Sequence, residues 1–115
     1  MQVTIWHNPR CSKSRETLKL LEDKGIEPRV RRYLDDPPTR KEIQSALNRL
    51  QITADKLVRK QETIFKELSL NNRGTTEDML IAAMVEHPIL IERPVVITDK
   101  GAAIGRPPEK VLEIL

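Results

Sequence analysis

The sequence predicts an α/β fold in which a helical block interrupts a chain of the order βαβ…ββα. Three observations predict it. Short β-rich apolar runs stand near both ends of the chain, at Val3–Trp6 and Pro94–Thr98. Between them, from about residue 39 to 87, apolar residues recur at helical spacing with no strand texture. The first run ends in His7-Asn8-Pro9, and the one cysteine of the chain, Cys11, follows at the head of a helix pattern.

Val3–Trp6 reads as a buried strand. Ser12 to Lys24 reads as a helix, with Leu18 and Leu21 on its inner stripe, Thr17 and Leu20 beside them, and Gly25 where a glycine ends a helix. Glu27–Leu34 alternates in part and is expected as a strand near a sheet edge, where its arginines reach water. Asp35-Asp36-Pro37-Pro38 breaks the chain. Thr39-Arg40-Lys41-Glu42 has the form of a capping box, with Ile43, Ala46, Leu47 and Leu50 behind it at helical spacing. Short helices are expected over Thr53–Val58 and Ile64–Leu68. A longer one, capped by Thr75 or Thr76, carries Met79, Leu80, Ala83 and Met84 and stops at His87-Pro88. Pro94–Thr98, the turn Asp99-Lys100-Gly101 and Ala102–Gly105 form a hairpin. Pro107-Pro108 opens a last helix with Val111, Leu112 and Leu115 on its apolar side. Without the helical block, this is the thioredoxin-like order. The expected organisation is a single domain, 1–115, with a helical insertion at about 39–87. In that fold a cysteine opens the first helix, as Cys11 does, and a cis-proline precedes the third strand. Pro94 is the candidate by that comparison.

Composition bounds the function. The chain has 115 residues, enough for one modest core. With 38% hydrophobic and only 3% aromatic residues, that core must be aliphatic. One cysteine excludes an internal disulfide. The N-terminus runs straight into a strand pattern, so no signal peptide is expected, and no apolar run is long enough to cross a membrane. A reducing cytosol is the expected compartment. Twenty basic against 17 acidic residues leave a net charge of +3, which suits small anions better than nucleic acid. The two histidines and one cysteine have no metal-binding spacing.

The chemistry centres on Cys11. A thiol at a helix N-terminus, with Arg10, Lys13 and Arg15 near in sequence, has positive potential where the thiolate forms. Serine stands at the second position of Cys11-Ser12-Lys13-Ser14, so no local partner resolves an adduct, and an external thiol such as glutathione or a glutaredoxin is required. A phosphatase loop of the Cys-x5-Arg type is disfavoured, because Thr17 stands six residues on. Among many arginines, position selects Arg93, directly before Pro94, and Arg106, between Gly105 and Pro107; both border the hairpin expected beside the Cys11 loop. Arg59 ends a short helix. His7 either holds the loop by a hydrogen bond or supports the thiolate. His87 reads as a helix C-terminal residue.

Together these residues resemble the glutaredoxin-dependent arsenate reductase (ArsC) family. His7-Asn8-Pro9-x-Cys11-x-x-Ser14-Arg15 is similar to its His-x3-Cys-x3-Arg signature. Tyr33-Leu34, Pro37-Pro38-Thr39-Arg40, Leu57-Val58-Arg59-Lys60, His87-Pro88-Ile89-Leu90-Ile91, Arg93-Pro94 and Arg106-Pro107 resemble later blocks in the same order. The resemblance implies that Cys11 attacks arsenate, that Arg59, Arg93 and Arg106 hold the oxyanion and its adduct, and that His7 and Arg15 set the thiolate. It implies glutathione as co-substrate, glutaredoxin as partner and no bound cofactor or metal. Arg10 and Ser12-Lys13 are closer to a chromosomal, YfgD-like subgroup. Two other readings stand beside this one: a related thiol or oxyanion reductase with a different substrate, and an Spx-like regulator that binds RNA polymerase. Ser14 and the three arginines favour the oxyanion enzyme.

Overall fold

A computed structural model describes residues 2–115. The chain divides into two compact units: residues up to Asp36 together with Arg93–Leu115, and Pro37–Glu92.

In the first unit the described residues form a four-stranded sheet in the order β2-β1-β3-β4: β1 Thr4–Trp6, β2 Arg29–Arg31, β3 Val95–Thr98 and β4 Gly101–Ile104. β1 runs parallel to β2 and antiparallel to β3, and β3 and β4 are an antiparallel hairpin. Helix α1, Ser12–Asp23, connects β1 to β2. Pairing sets Val30, Ile5, Val96 and Ala103 in one cross-strand row, and directly paired residues share a face. On that face Val3, Ile5 and Val96 join Leu21 of α1 and Val111 in the buried core, with Leu18, Leu20, Ile26, Ile114 and Leu115 packed around them. The core is aliphatic, as the composition requires. Arg93-Pro94 is a cis peptide, as expected, and Arg106-Pro107 is a second one.

Three expectations change. The run Glu27–Leu34 forms a strand only at Arg29–Arg31. The Arg32 carbonyl accepts from the N–H groups of Asp35 and Asp36, which turns the chain out of the sheet and leaves Tyr33 buried at 1% exposure. β2 does lie at the sheet edge, with Arg29 exposed. On α1 the buried stripe is Ser14, Thr17 and Leu21, and Leu18 is only half-buried. The last helix, Pro108–Ile114, is a 3-10 helix. Its three-residue repeat aligns Val111 with Ile114, so these face the core while Leu112 is 40% exposed.

The second unit contains α2 Arg40–Leu50, α3 Ala54–Leu57, α4 Thr63–Glu67, α5 Glu77–Glu86 and a 3-10 turn at Pro88–Leu90. Thr39 and Glu42 form the expected capping box, and Thr76 is the residue that caps α5. The Glu77 carboxylate accepts from the Ala54 N–H at 2.9 Å, so the first turn of α5 also caps α3. Leu80, Ile81, Ala83 and Met84 are the buried residues of α5, and Ile43, Ala46 and Leu47 those of α2. This unit runs to Glu92, where Ile91 bridges Val58 and the Glu92 N–H bonds the Leu57 carbonyl. No helix among the described residues is long and apolar enough to cross a membrane.

Candidate active site

β1 delivers the chain into a tight loop. The His7 N–H bonds the Arg31 carbonyl at 2.8 Å, and the Asn8 side-chain oxygen accepts from the Arg10 N–H at 3.0 Å. The Asn8 carbonyl accepts from the Cys11 N–H at 3.0 Å. Cys11 is thereby the N-cap of α1, in extended conformation, with its side chain buried.

Two opposing effects act on the thiol. Burial pushes its pKa up. The Ser14 N–H, the hydrogen bond and charge of the Arg93 guanidinium, and the Lys13 N–H push it down, and together they win. Arg106 adds a second guanidinium: its Nη2 lies 3.5 Å from Cys11 Sγ, and its Nε donates to the Arg93 carbonyl at 2.8 Å. One end of Arg106 is thus anchored while the other meets the sulfur. The rate of iodoacetamide alkylation against pH should therefore inflect below about 8.5, the ordinary thiol value. Arg93→Ala should move that inflection up. A wild-type inflection at the ordinary value would overturn the activated thiolate.

His7 sits at 6% exposure, and its Nδ1 lies 2.7 Å from Ser14 Oγ. Ser14 Oγ also accepts from the Asn8 N–H at 3.0 Å. Burial, and then the charges of Arg32 and Arg15, lower the His7 pKa, so the neutral ring is favoured near pH 7. Through Nδ1 the neutral ring shares one hydrogen bond with the Ser14 hydroxyl, as acceptor or donor according to its tautomer. Because the folded pKa lies below the unfolded value of 6.5, the unfolded chain takes up the proton first as pH falls. This stability is complete above about 6.5 and is lost as pH drops through the folded value. Urea melts between pH 7.5 and 5 should show the slope in wild type and a flatter one in His7→Gln; equal slopes would refute the neutral assignment.

The other basic neighbours of Cys11 have different partners. Arg15 is exposed, and its Nη1 donates to the Pro9 carbonyl at 2.9 Å. It braces the loop and adds to the positive field on His7. Lys13 Nζ pairs with Glu16 at 3.4 Å, and Lys13 acts on Cys11 through its backbone N–H. Arg10 is exposed.

Two residues that sequence reasoning does not select as site residues shape the site's framework. Ser14 ties His7 and Asn8 together, beyond being the residue that replaces a second cysteine. Gly105 lies against α1 and Pro94: a Cβ there would overlap Thr17 Oγ1 and come within 2.9 Å of Pro94 Cγ. The Gly105 N–H bonds the Pro94 carbonyl at 3.0 Å, and Thr17 Oγ1 donates to the Lys13 carbonyl at 2.8 Å. The signal in the sequence is two small polar residues, Ser14 and Thr17, in helical register with Leu21.

Arg59 belongs to the second unit. It is 9% exposed, with Nε bonded to Glu62 at 2.9 Å and Nη1 to Glu92 at 2.7 Å. Burial alone would lower its pKa, but the two carboxylates raise it, so the guanidinium stays charged. His87 ends α5, its N–H bonded to the Ala83 carbonyl at 2.7 Å. Among the described residues no group of three or more His, Cys, Asp or Glu could hold a metal ion.

A thiolate at a helix N-cap with a guanidinium against it can attack an electrophilic centre that carries negatively charged oxygens. The fold and this cysteine define a thioredoxin-like protein with a single activated thiol. The chain belongs to the ArsC family, whose pattern matches residues 6–114. It is 50% identical to the Escherichia coli (strain K12) protein YfgD over 115 residues, covering 99% of this chain and 97% of that one. It is 48% identical over 116 residues to a Haemophilus influenzae protein named arsenate reductase, covering 100% of both. Its fold matches the solved arsenate reductase from Vibrio cholerae with a TM-score of 0.97 and 49% identity, covering 100% of this chain and 98% of that one.

Proposed function

We propose that this protein reduces arsenate to arsenite with Cys11 as nucleophile and with glutathione and glutaredoxin as external reductants. The observation that carries this reading is the sulfur itself: a thiol whose pKa is lowered, with Arg106 Nη2 at 3.5 Å. Membership of the ArsC family and relatives named arsenate reductase support the substrate.

In this reading Arg93, Arg106 and Arg59 hold the oxyanion and its adduct. His7 and Arg15 keep the loop and its field in order. Cys11 Sγ forms a bond to arsenic, and one arsenate oxygen leaves as water. A glutathione thiolate attacks the adduct, and glutaredoxin reduces the mixed disulfide. The two electrons that take As(V) to As(III) come from the pair of thiols that ends as a disulfide, and arsenite leaves. With Ser14 in place of a resolving cysteine, the chain has no second thiol to close the cycle itself. The reducing cytosol supplies what the cycle needs.

The test is an NADPH-coupled assay of the purified protein with glutathione, glutathione reductase and glutaredoxin. Arsenate-dependent NADPH consumption that falls away when glutaredoxin is omitted is the expected result. Absence of turnover from a protein whose Cys11 alkylates below the ordinary thiol pKa would transfer the chemistry to another oxyanion or to a glutathionylated thiol. Serine at position 14 also removes the two-cysteine switch that an Spx-like regulator would use.

A further inference from the structure

We infer that Arg10, Arg15 and Arg32, three exposed arginines at the loop before Cys11, form a docking rim for the protein that frees Cys11 from glutathione. That partner carries acidic groups around its own reactive cysteine. The inference rests on the reading of glutathione and glutaredoxin as external reductants.

All three arginines belong to the first unit. Hydrogen bonds tie each of them, or its direct neighbour, to the same loop. The Arg10 N–H donates to the Asn8 side-chain oxygen at 3.0 Å. Arg15 stands near the start of α1, and its Nη1 donates to the Pro9 carbonyl at 2.9 Å. Arg32 follows Arg31, whose carbonyl accepts from the His7 N–H at 2.8 Å. Arg15 and Arg32 both act on His7 through their charge, so both stand near that ring. Each of the three is exposed.

Their charges are not neutralised. Among the described residues no ion pair involves Arg10, Arg15 or Arg32. Glu16 pairs with Lys13 at 3.4 Å and Asp36 with Arg31 at 3.5 Å, so neither carboxylate is spent on the rim. Three positive charges thus stand open to water at one loop. Exposed charges hold a small ion weakly, because water and salt screen each contact. A large acidic surface meets all three at once, and the summed field speeds its arrival and orients it. The rim therefore suits a protein better than a small anion.

The place of the rim fits the step. The partner's thiolate attacks the glutathione sulfur of the Cys11 mixed disulfide. The bond to Cys11 Sγ breaks, Cys11 leaves with the electron pair as a thiolate, and glutathione passes to the partner in a new disulfide. Cys11 is buried, while Arg10 and Ser12 on either side of it are exposed. A protein that reaches this disulfide has to lie over the loop that carries the rim.

The experiment needs no arsenate. Oxidised glutathione caps Cys11: the thiolate attacks one sulfur and one glutathione leaves. Stopped-flow mixing then gives the second-order rate at which reduced glutaredoxin removes the cap. The proteins compared are wild type, Arg10→Glu, Arg32→Glu and Lys24→Glu, with dithiothreitol as an uncharged small thiol. Lys24 is exposed and follows α1, about 20 Å from Cys11, so Lys24→Glu makes the same change in net charge away from the rim. Each rim variant is expected to slow glutaredoxin about threefold to tenfold at low ionic strength, with the difference closing at high salt. Lys24→Glu should stay near wild type, and dithiothreitol should act on all four proteins at one rate. Equal slowing of dithiothreitol places the effect on the disulfide itself and overturns the rim. Unchanged or faster glutaredoxin rates in both rim variants overturn it too, as does equal slowing in Lys24→Glu. If glutaredoxin uncaps wild type no faster than glutathione does, the partner is lost and the rim falls with it. A rim effect in a protein that does not turn over arsenate leaves the rim standing and overturns only the substrate.

Discussion

Cys11→Ser is expected to abolish arsenate reduction, by about ten-thousandfold or more, without unfolding the protein. The size follows from the chemistry. A serine hydroxyl is a far weaker acid than a thiol, so the backbone N–H groups and guanidinium charge that favour a thiolate here do not ionise it near neutral pH, and it cannot pass electrons to arsenic. The tolerance follows from the structure. Cys11 is an N-cap, and serine is a favoured N-cap residue of similar size. The NADPH-coupled assay reads the activity, and circular dichroism melts read the fold. Sulfate titration of the variant should still detect an anion site, because Arg93 and Arg106 remain. Turnover within tenfold of wild type would mean that the reaction does not pass through this sulfur.

Gly105→Ala is expected to destabilise the protein by about 1–3 kcal/mol and to raise the pKa of Cys11 at the same time. The added methyl meets Thr17 Oγ1 and Pro94 Cγ, both at least partly fixed by their own bonds. Relief requires the chain at Gly105 to move away from α1. Arg106 follows it directly, and Arg106 Nε is anchored on the Arg93 carbonyl. A shift there draws the guanidinium off Cys11 Sγ, and the thiolate loses support. Thermal melts and the alkylation profile should move together. If the melting temperature and the inflection both stay at wild-type values, the contact of Gly105 with Thr17 is not what holds Arg106 on the sulfur.

Much of this molecule is legible in local pattern. The β1 run, the cysteine opening α1, the capping box at Thr39 and the hairpin after Pro94 are set by spacing and turn chemistry over a few residues, and each stands where the pattern puts it. Lengths are less legible. Glu27–Leu34 has strand composition, but a strand persists only while it has a neighbour to pair with; the Arg32 carbonyl turns back onto Asp35 and Asp36, and pairing ends. The inner stripe of α1 is not legible either, because hydrophobicity favours Leu18, whereas the tight approach of Gly105 needs a small side chain at Thr17.

The site divides in the same way. Sequence by itself determined that one thiol opens a helix, that it has no resolving partner, and that Arg93 and Arg106 flank the hairpin's two ends. These are properties of residue type and chain order. Tertiary structure decided which cations meet the sulfur. Arg10, Lys13 and Arg15 are close to Cys11 in the chain, yet a helix turns Lys13 towards Glu16 and Arg15 towards the Pro9 carbonyl. Arg106 stands near the other end of the chain, and the sheet brings its Nη2 to 3.5 Å. Charge acts through distance in space, and only the packing of β3, β4 and α1 sets that distance.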